Sequence, residues 1–209
     1  MAVMRLSLAA IVVAFAVCLS ACDRSTETET PVTAETSPAL LASRSSLGAA
    51  DASVGADFRR RVDDYMALQK QLESTLTKLP DKATPRQIDA NQRALGALIA
   101  KARPDARPGH IFSTEMQTFV RGLLRRVLEG PGGGTLKASI MDENPPGTAI
   151  QVNGRYPDTV PLSTMPPDVL AALPPLPEDL EYRFVGHRLI LLDTKAHLIV
   201  DFVDDAFPR

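Results

Sequence analysis

Three histidines, His110, His187 and His197, and a scatter of carboxylates are the side chains in this 209-residue sequence whose types suit proton transfer or metal binding. A metal site needs two or three such groups converging with a carboxylate. His187 and His197 flank a stretch that reads as a hairpin, which puts them about 16–20 Å apart at strand rise, too far to share an ion within one chain. His197 and Asp193 face each other across a turn at Lys195, and a cross-strand pair closing that turn accounts for them without a ligand or catalytic role. The carboxylate pairs Asp142-Glu143, Glu178-Asp179 and Asp204-Asp205 suggest glycosidase chemistry only if they face one another, and adjacent loop residues point apart.

Other chemistries find less support. The Gly130-Pro-Gly-Gly-Gly-Thr-Leu-Lys137 stretch lacks the glycine–lysine–hydroxyl ending of a phosphate-binding loop and follows a helical pattern, so it reads as a hinge between subdomains. There is no Gly-x-Ser-x-Gly elbow, and both cysteines, Cys18 and Cys22, lie near the N-terminus. Arg121, Arg125 and Arg126 form a basic patch on a helix, with Glu129 placed for local ion pairs on a solvated face. No cofactor motif and no metal cluster emerges. The reading these residues support is a non-enzymatic binding or scaffold module. The alternative is a hydrolase whose site assembles from dispersed Asp, Glu and His residues between 130 and 205.

Charge is nearly balanced, 23 Lys and Arg against 25 Asp and Glu, a net of −2. That argues against a nucleic-acid partner, because neutralising phosphates takes concentrated positive charge. The length suits one domain with tails. Two cysteines cannot form a disulfide framework.

The elements that must position these residues follow from periodicity and breakers. Phe58, Val62, Tyr65, Gln69, Leu72, Leu76 and Leu79 alternate steps of four and three, which predicts a helix of about 25 residues and about 39 Å starting near Val54, with Gln69 the one polar seam position and Pro80 its stop. Thr84-Pro85-Arg86-Gln87 supplies a capping box for a second helix to about Ala102, with Ile88, Leu95, Leu98 and Ile99 as its stripe; the short connection makes the two neighbours. Met116, Phe119, Val120, Leu123, Leu124, Val127 and Leu128 mark a third helix beginning at Ser113 or Thr114 and ending at Gly130-Pro131. Thr148–Val152 before Asn153-Gly154 reads as a hairpin strand, with Tyr156-Pro157 making the return short. Pro166-Pro167-Asp168 starts a brief helix, and Pro174-Pro175-Leu176-Pro177 gives a stiff extended lead-in. A meander of Glu181–Val185, Arg188–Asp193 and His197–Val203 closes the chain. Centring its last turn on Lys195 pairs Asp193 with His197, Leu191 with Ile199 and Leu189 with Asp201. One face then carries Ile190, Leu192, Leu198, Val200 and Phe202, and both faces are apolar enough to need cover. The class is α+β: a helical hairpin plus a third helix (54–130), then Gly/Pro-rich loops and a small antiparallel sheet (131–209), packed as one unit.

The N-terminus carries an address. Arg5 precedes an uncharged apolar run to Val17, too short to span a bilayer and suited to a secretory signal. It ends in Leu19-Ser20-Ala21-Cys22, which resembles the lipobox of bacterial lipoproteins over the first 22 residues. The resemblance implies a signal peptide over 1–21, lipidation at Cys22 with palmitate-type acyl chains, and a membrane anchor in the cell envelope with the globular part in the periplasm. Loss of residues 1–21 removes only Arg5 among charges and leaves a net of −3. Each buried CH₂ of the acyl chains contributes about 0.8 kcal/mol to anchoring. Asp23 resembles the inner-membrane retention signal of enteric lipoproteins, a rule that differs between bacteria and leaves the leaflet open. Residues 22–53, polar and poor in aromatics, read as a disordered tether, its roughly 30 residues spanning roughly 30 Å. The stretch Leu176–Asp193 and Leu198-Ile-Val-Asp-Phe-Val203 resembles segments of bacterial secreted and envelope proteins with no assigned activity, so it transfers no catalytic residue. The partners implied are the membrane through Cys22, an envelope protein or peptide, and a second copy in a homo-oligomer.

Overall fold

Helices come first in the chain and strands last, an α+β order matching the expectation from sequence. The computed structural model describes residues 38–143, 147–160 and 165–207, with side chains from residue 50 onward. The signal peptide, Cys22 and the tether up to residue 37 lie outside the described residues.

Helix α1 (Pro38–Glu73) buries Phe58, Val62, Tyr65 and Gln69 of the expected seam, and Met66 beside them; Leu72 is partly buried against the same core. Its ends differ from the sequence reading. It begins at Pro38 rather than Val54, so residues 38–53 are helical where a structureless tether was expected; proline at the first helical position and the Ala- and Leu-containing run after it favour that start. It stops at Glu73 rather than Leu79 because hydroxyls take its last carbonyls. Ser74 Oγ donates to Gln71 O at 2.7 Å and Thr75 Oγ1 to Leu72 O at 2.6 Å. Leu79 is consequently exposed.

Helix α2 (Pro85–Ala102) opens with the expected capping box, Thr84 and Gln87 satisfying each other's main-chain N–H. It buries Leu95 and Ile99, while Ile88 faces solvent. Helix α3 (Thr114–Glu129) is capped by Ser113, whose hydroxyl accepts from Met116 N–H, and buries Met116, Val120, Leu123, Leu124 and Leu128. The glycine-rich stretch is not a hinge. It leads directly into helix α4 (Gly133–Glu143), in which Leu136 and Ile140 occupy one face; the glycines masked that spacing in the sequence. A Cβ at Gly133 would lie 2.1 Å from Leu128 O, so only glycine permits α4 to start against the end of α3. Helix α5 (Pro167–Ala172) forms where the double proline placed it. Among the described residues, no helix is long and apolar enough to cross a membrane.

Strands β1 (Leu180–Val185), β2 (Arg188–Asp193) and β3 (Leu198–Val203) form an antiparallel sheet in the order β1-β2-β3. The two-residue turn joining β1 to β2 puts Gly186 at φ 58°, where glycine costs nothing. The register of β2 with β3 differs from the expected one. Leu191 pairs with Asp201 and Leu192 with Ile199, leaving Val200 as the extra residue of a bulge. Val200 and Asp201 therefore both turn toward the helices, with Leu189, Leu191 and Leu198, while Ile190, Leu192, Ile199 and Phe202 face the other way.

The hairpin expected at 148–157 does not form. Instead the chain there lies along β3: Asn153 N–H donates to Ile199 O at 2.9 Å, Ile199 N–H to Gly154 O at 2.8 Å, and Tyr156 N–H to His197 O at 2.9 Å. This covers the β3 edge and brings Tyr156, with Ile150, Val152 and Val160, over the sheet face away from the helices. Both faces are covered, as the apolar pattern required.

Candidate functional site

Among the described residues, two carboxylates are fully buried, Asp193 and Asp201. The bulge at Val200 aims Asp201 at the loop between α2 and α3. Its Oδ2 accepts from Ile111 N–H at 2.7 Å and Phe112 N–H at 2.9 Å, and its Oδ1 from Gly109 N–H at 3.0 Å and Phe202 N–H at 2.8 Å. Four amides around one carboxylate satisfy its lone pairs and pin the loop to the sheet. Asp193, at the end of β2, accepts from Tyr65 OH at 2.6 Å and Gln69 Nε2 at 3.2 Å on α1, and from Ala196 N–H at 2.8 Å across the turn. The polar seam position at Gln69 thus exists to meet a buried carboxylate, and Gln69 Oε1 is left without a hydrogen bond. Burial raises the pKa of both carboxyls, against the pull of these donors. Tyr65 is pushed far above its ordinary value, by burial first and by the Asp193 charge second. Both aspartates brace helices to sheet, and every donor they hold comes from the chain itself.

The pairing expected between Asp193 and His197 does not form, because the register shift leaves His197 in the turn. His197 adopts φ 50°, packs edge-on against the Tyr156 ring with centroids 5.5 Å apart, and has Asp158 as its nearest carboxylate at 3.8 Å. Around it stand Asp89 and Arg93 from α2 and Arg155 and Asp158 from the segment along β3. Arg155 Nη2 bonds Asp89 at 2.7 Å and Asp158 at 3.4 Å, while its buried Nε and Nη1 have no partner. Burial, then the Arg155 charge, lowers the His197 pKa. Beside this cluster is a cleft of about 300 Å³ lined by Gln92, Arg93, Asn153 and Arg155.

The remaining sequence candidates are dispersed. His187 is exposed at the β1–β2 turn, its ring 6.3 Å from Phe207, and the His110 carbonyl accepts from Arg61. Among the described residues, no three His, Cys, Asp or Glu side chains are grouped to hold a metal ion. The adjacent carboxylates part company. Asp142 and Glu143 are exposed at the end of α4; Glu178 faces solvent while Asp179 lies 3.3 Å from Lys195; Asp204 pairs with Arg188 at 2.6 Å. On α3, Arg121 donates to the Asp204 carbonyl at 3.0 Å.

A groove of about 710 Å³ opens between α5, the extended strap 174–177 and β1. Met165, Leu173, Leu180 and Tyr182 are buried beneath it, and Leu170, 51% exposed, stands at its wall. Tyr182 OH donates to Pro174 O at 3.0 Å, fixing the strap to the sheet. Only the strap was visible in the sequence, as the Pro-Pro-Leu-Pro run; Leu170 and Arg183 join it through tertiary packing.

The chain matches no protein-family model, no curated protein and no solved structure.

Proposed function

We propose that this chain is a lipid-anchored bacterial envelope protein whose folded part binds another envelope protein or a peptide rather than performing a reaction. The anchor reading rests on Leu19-Ser20-Ala21-Cys22 after an uncharged apolar run. The binding reading rests on one observation, the groove of about 710 Å³ with Leu170 half exposed at its wall. An apolar concavity with few polar groups is the usual form of a binding site. In keeping with binding, the buried ionisable groups are spent on the fold: Asp193, Asp201, Tyr65 and Tyr182 all hydrogen-bond within the chain.

In-cell crosslinking of the anchored protein, followed by pull-down and mass spectrometry, tests this, with Cys22→Ala and Leu170→Asp alongside. One reproducible envelope partner, lost in both variants, is the expected result. Self-crosslinks only, or a partner indifferent to Leu170→Asp, would overturn it.

A further inference from the structure

We infer that the occupant of the groove beside β1 is a cationic segment of a partner protein that carries apolar side chains, an inference that rests on the binding reading above. The stretch 165–183 that builds the groove holds four carboxylates, Asp168, Glu178, Asp179 and Glu181, against one guanidinium, Arg183. Arg183 is engaged by Glu181, its Nε donating at 2.9 Å, and Asp179 faces Lys195, so exposed Asp168 and Glu178 set the sign of the rim. Asp168 lies one helical turn before Ala171, a lining residue of the groove, and Glu178 lines it directly.

The strap adds a second selection. Prolines at 174, 175 and 177 have no N–H; Pro174 O already accepts from Tyr182 OH and Pro177 O from Leu180 N–H, so this wall offers the carbonyl oxygens of Pro175 and Leu176 and a single main-chain donor at Leu176. A rim of carboxylates and carbonyls accepts hydrogen bonds and gives almost none. Lysine or arginine side chains supply what it lacks, whereas a phosphate or carboxylate headgroup finds no uncommitted cation there. The apolar floor and Leu170 require hydrocarbon beside that charge, which an alternating Lys–Leu segment provides.

The probe is a labelled Ser-Lys-Leu-Lys-Leu-Lys-Ser peptide, with a counterpart carrying Glu for each Lys, titrated by fluorescence anisotropy onto the full lipidated chain in zwitterionic micelles. The Lys peptide is expected to bind and the Glu peptide not. The double change Asp168→Lys, Glu178→Lys should weaken the Lys peptide by roughly tenfold, the uncharged change Leu170→Ser should weaken it similarly by removing the apolar contact, and added salt should do the same as the charge reversal progressively. Thermal melts confirm that each variant is folded. Equal binding of the Glu peptide, or Lys-peptide binding that ignores both substitutions, overturns the inference. Should neither peptide bind while a partner still crosslinks in cells through Leu170, the charge assignment fails and the binding reading stands; with no crosslink either, both fail.

Discussion

Asp193 and Asp201 are equally buried, but their donors differ, and so do the consequences of replacing them. Asp201 is ringed by main-chain N–H groups that cannot turn away. Asp201→Asn puts an NH₂ against two of them and should cost roughly 3 kcal/mol or more. Asp193 faces a hydroxyl and an amide that can both reverse roles. In Asp193→Asn, Gln69 can rotate its unpartnered Oε1 to accept from the new NH₂, and Tyr65 OH can accept as well. That variant should lose no more than about 1.5 kcal/mol at neutral pH, and paired urea melts check both values. The pH response follows from the raised carboxyl pKa values. A group whose pKa is raised on folding adds stability below its unfolded value and loses it as pH climbs through the folded one, so Asp193→Asn should gain on the parent as pH rises above about 4. His197 has the opposite sign. Its lowered pKa gives stability above about pH 6.5 that is lost as pH falls. His197→Asn, which keeps a residue tolerant of φ 50°, should flatten the decline in stability between about pH 7 and 5 in the same melts.

At the scale of elements, α4 depends on one glycine. Gly133→Ala forces a methyl onto Leu128 O and should lower stability by about 1–3 kcal/mol, whereas Gly134→Ala meets no atom within 4 Å and should raise it by up to about 1 kcal/mol, both read as shifts in Tm. The glycines that make this packing possible also hid the helix in the sequence. What could be read from sequence was local: the capping box at Thr84, the stripe of α3, the double-proline start of α5 and the three meander strands each sit within one window of residues. What could not be read was long-range. The bulge at Val200 adds one residue to β3 and moves Leu198 and Val200 to the opposite face, and no strand's own pattern reports it. The segment 153–156 pairs with β3 rather than with its sequence neighbour for the same reason. Gln69 broke an apolar seam and Asp201 broke an apolar strand, so the polar braces left a signal, though their partners lay elsewhere in the chain. The groove left only its prolines.

For the whole molecule, helices cover one sheet face, the 150–160 segment covers the other, and the buried carboxylates lock helices to sheet. The groove with Leu170 remains as an apolar concavity open to solvent. Ile88 on α2 is the useful comparison, since it is nearly as exposed, at 42% against 51%, but does not line the groove. The decisive measurement places a photo-crosslinking amino acid at position 170 or at position 88 of the full-length protein in cells and compares the adducts formed on illumination. A defined adduct from position 170 and none from position 88 is the predicted result. Equal adducts from both, or an adduct from position 88 alone, would contradict the assignment of the groove as the binding surface.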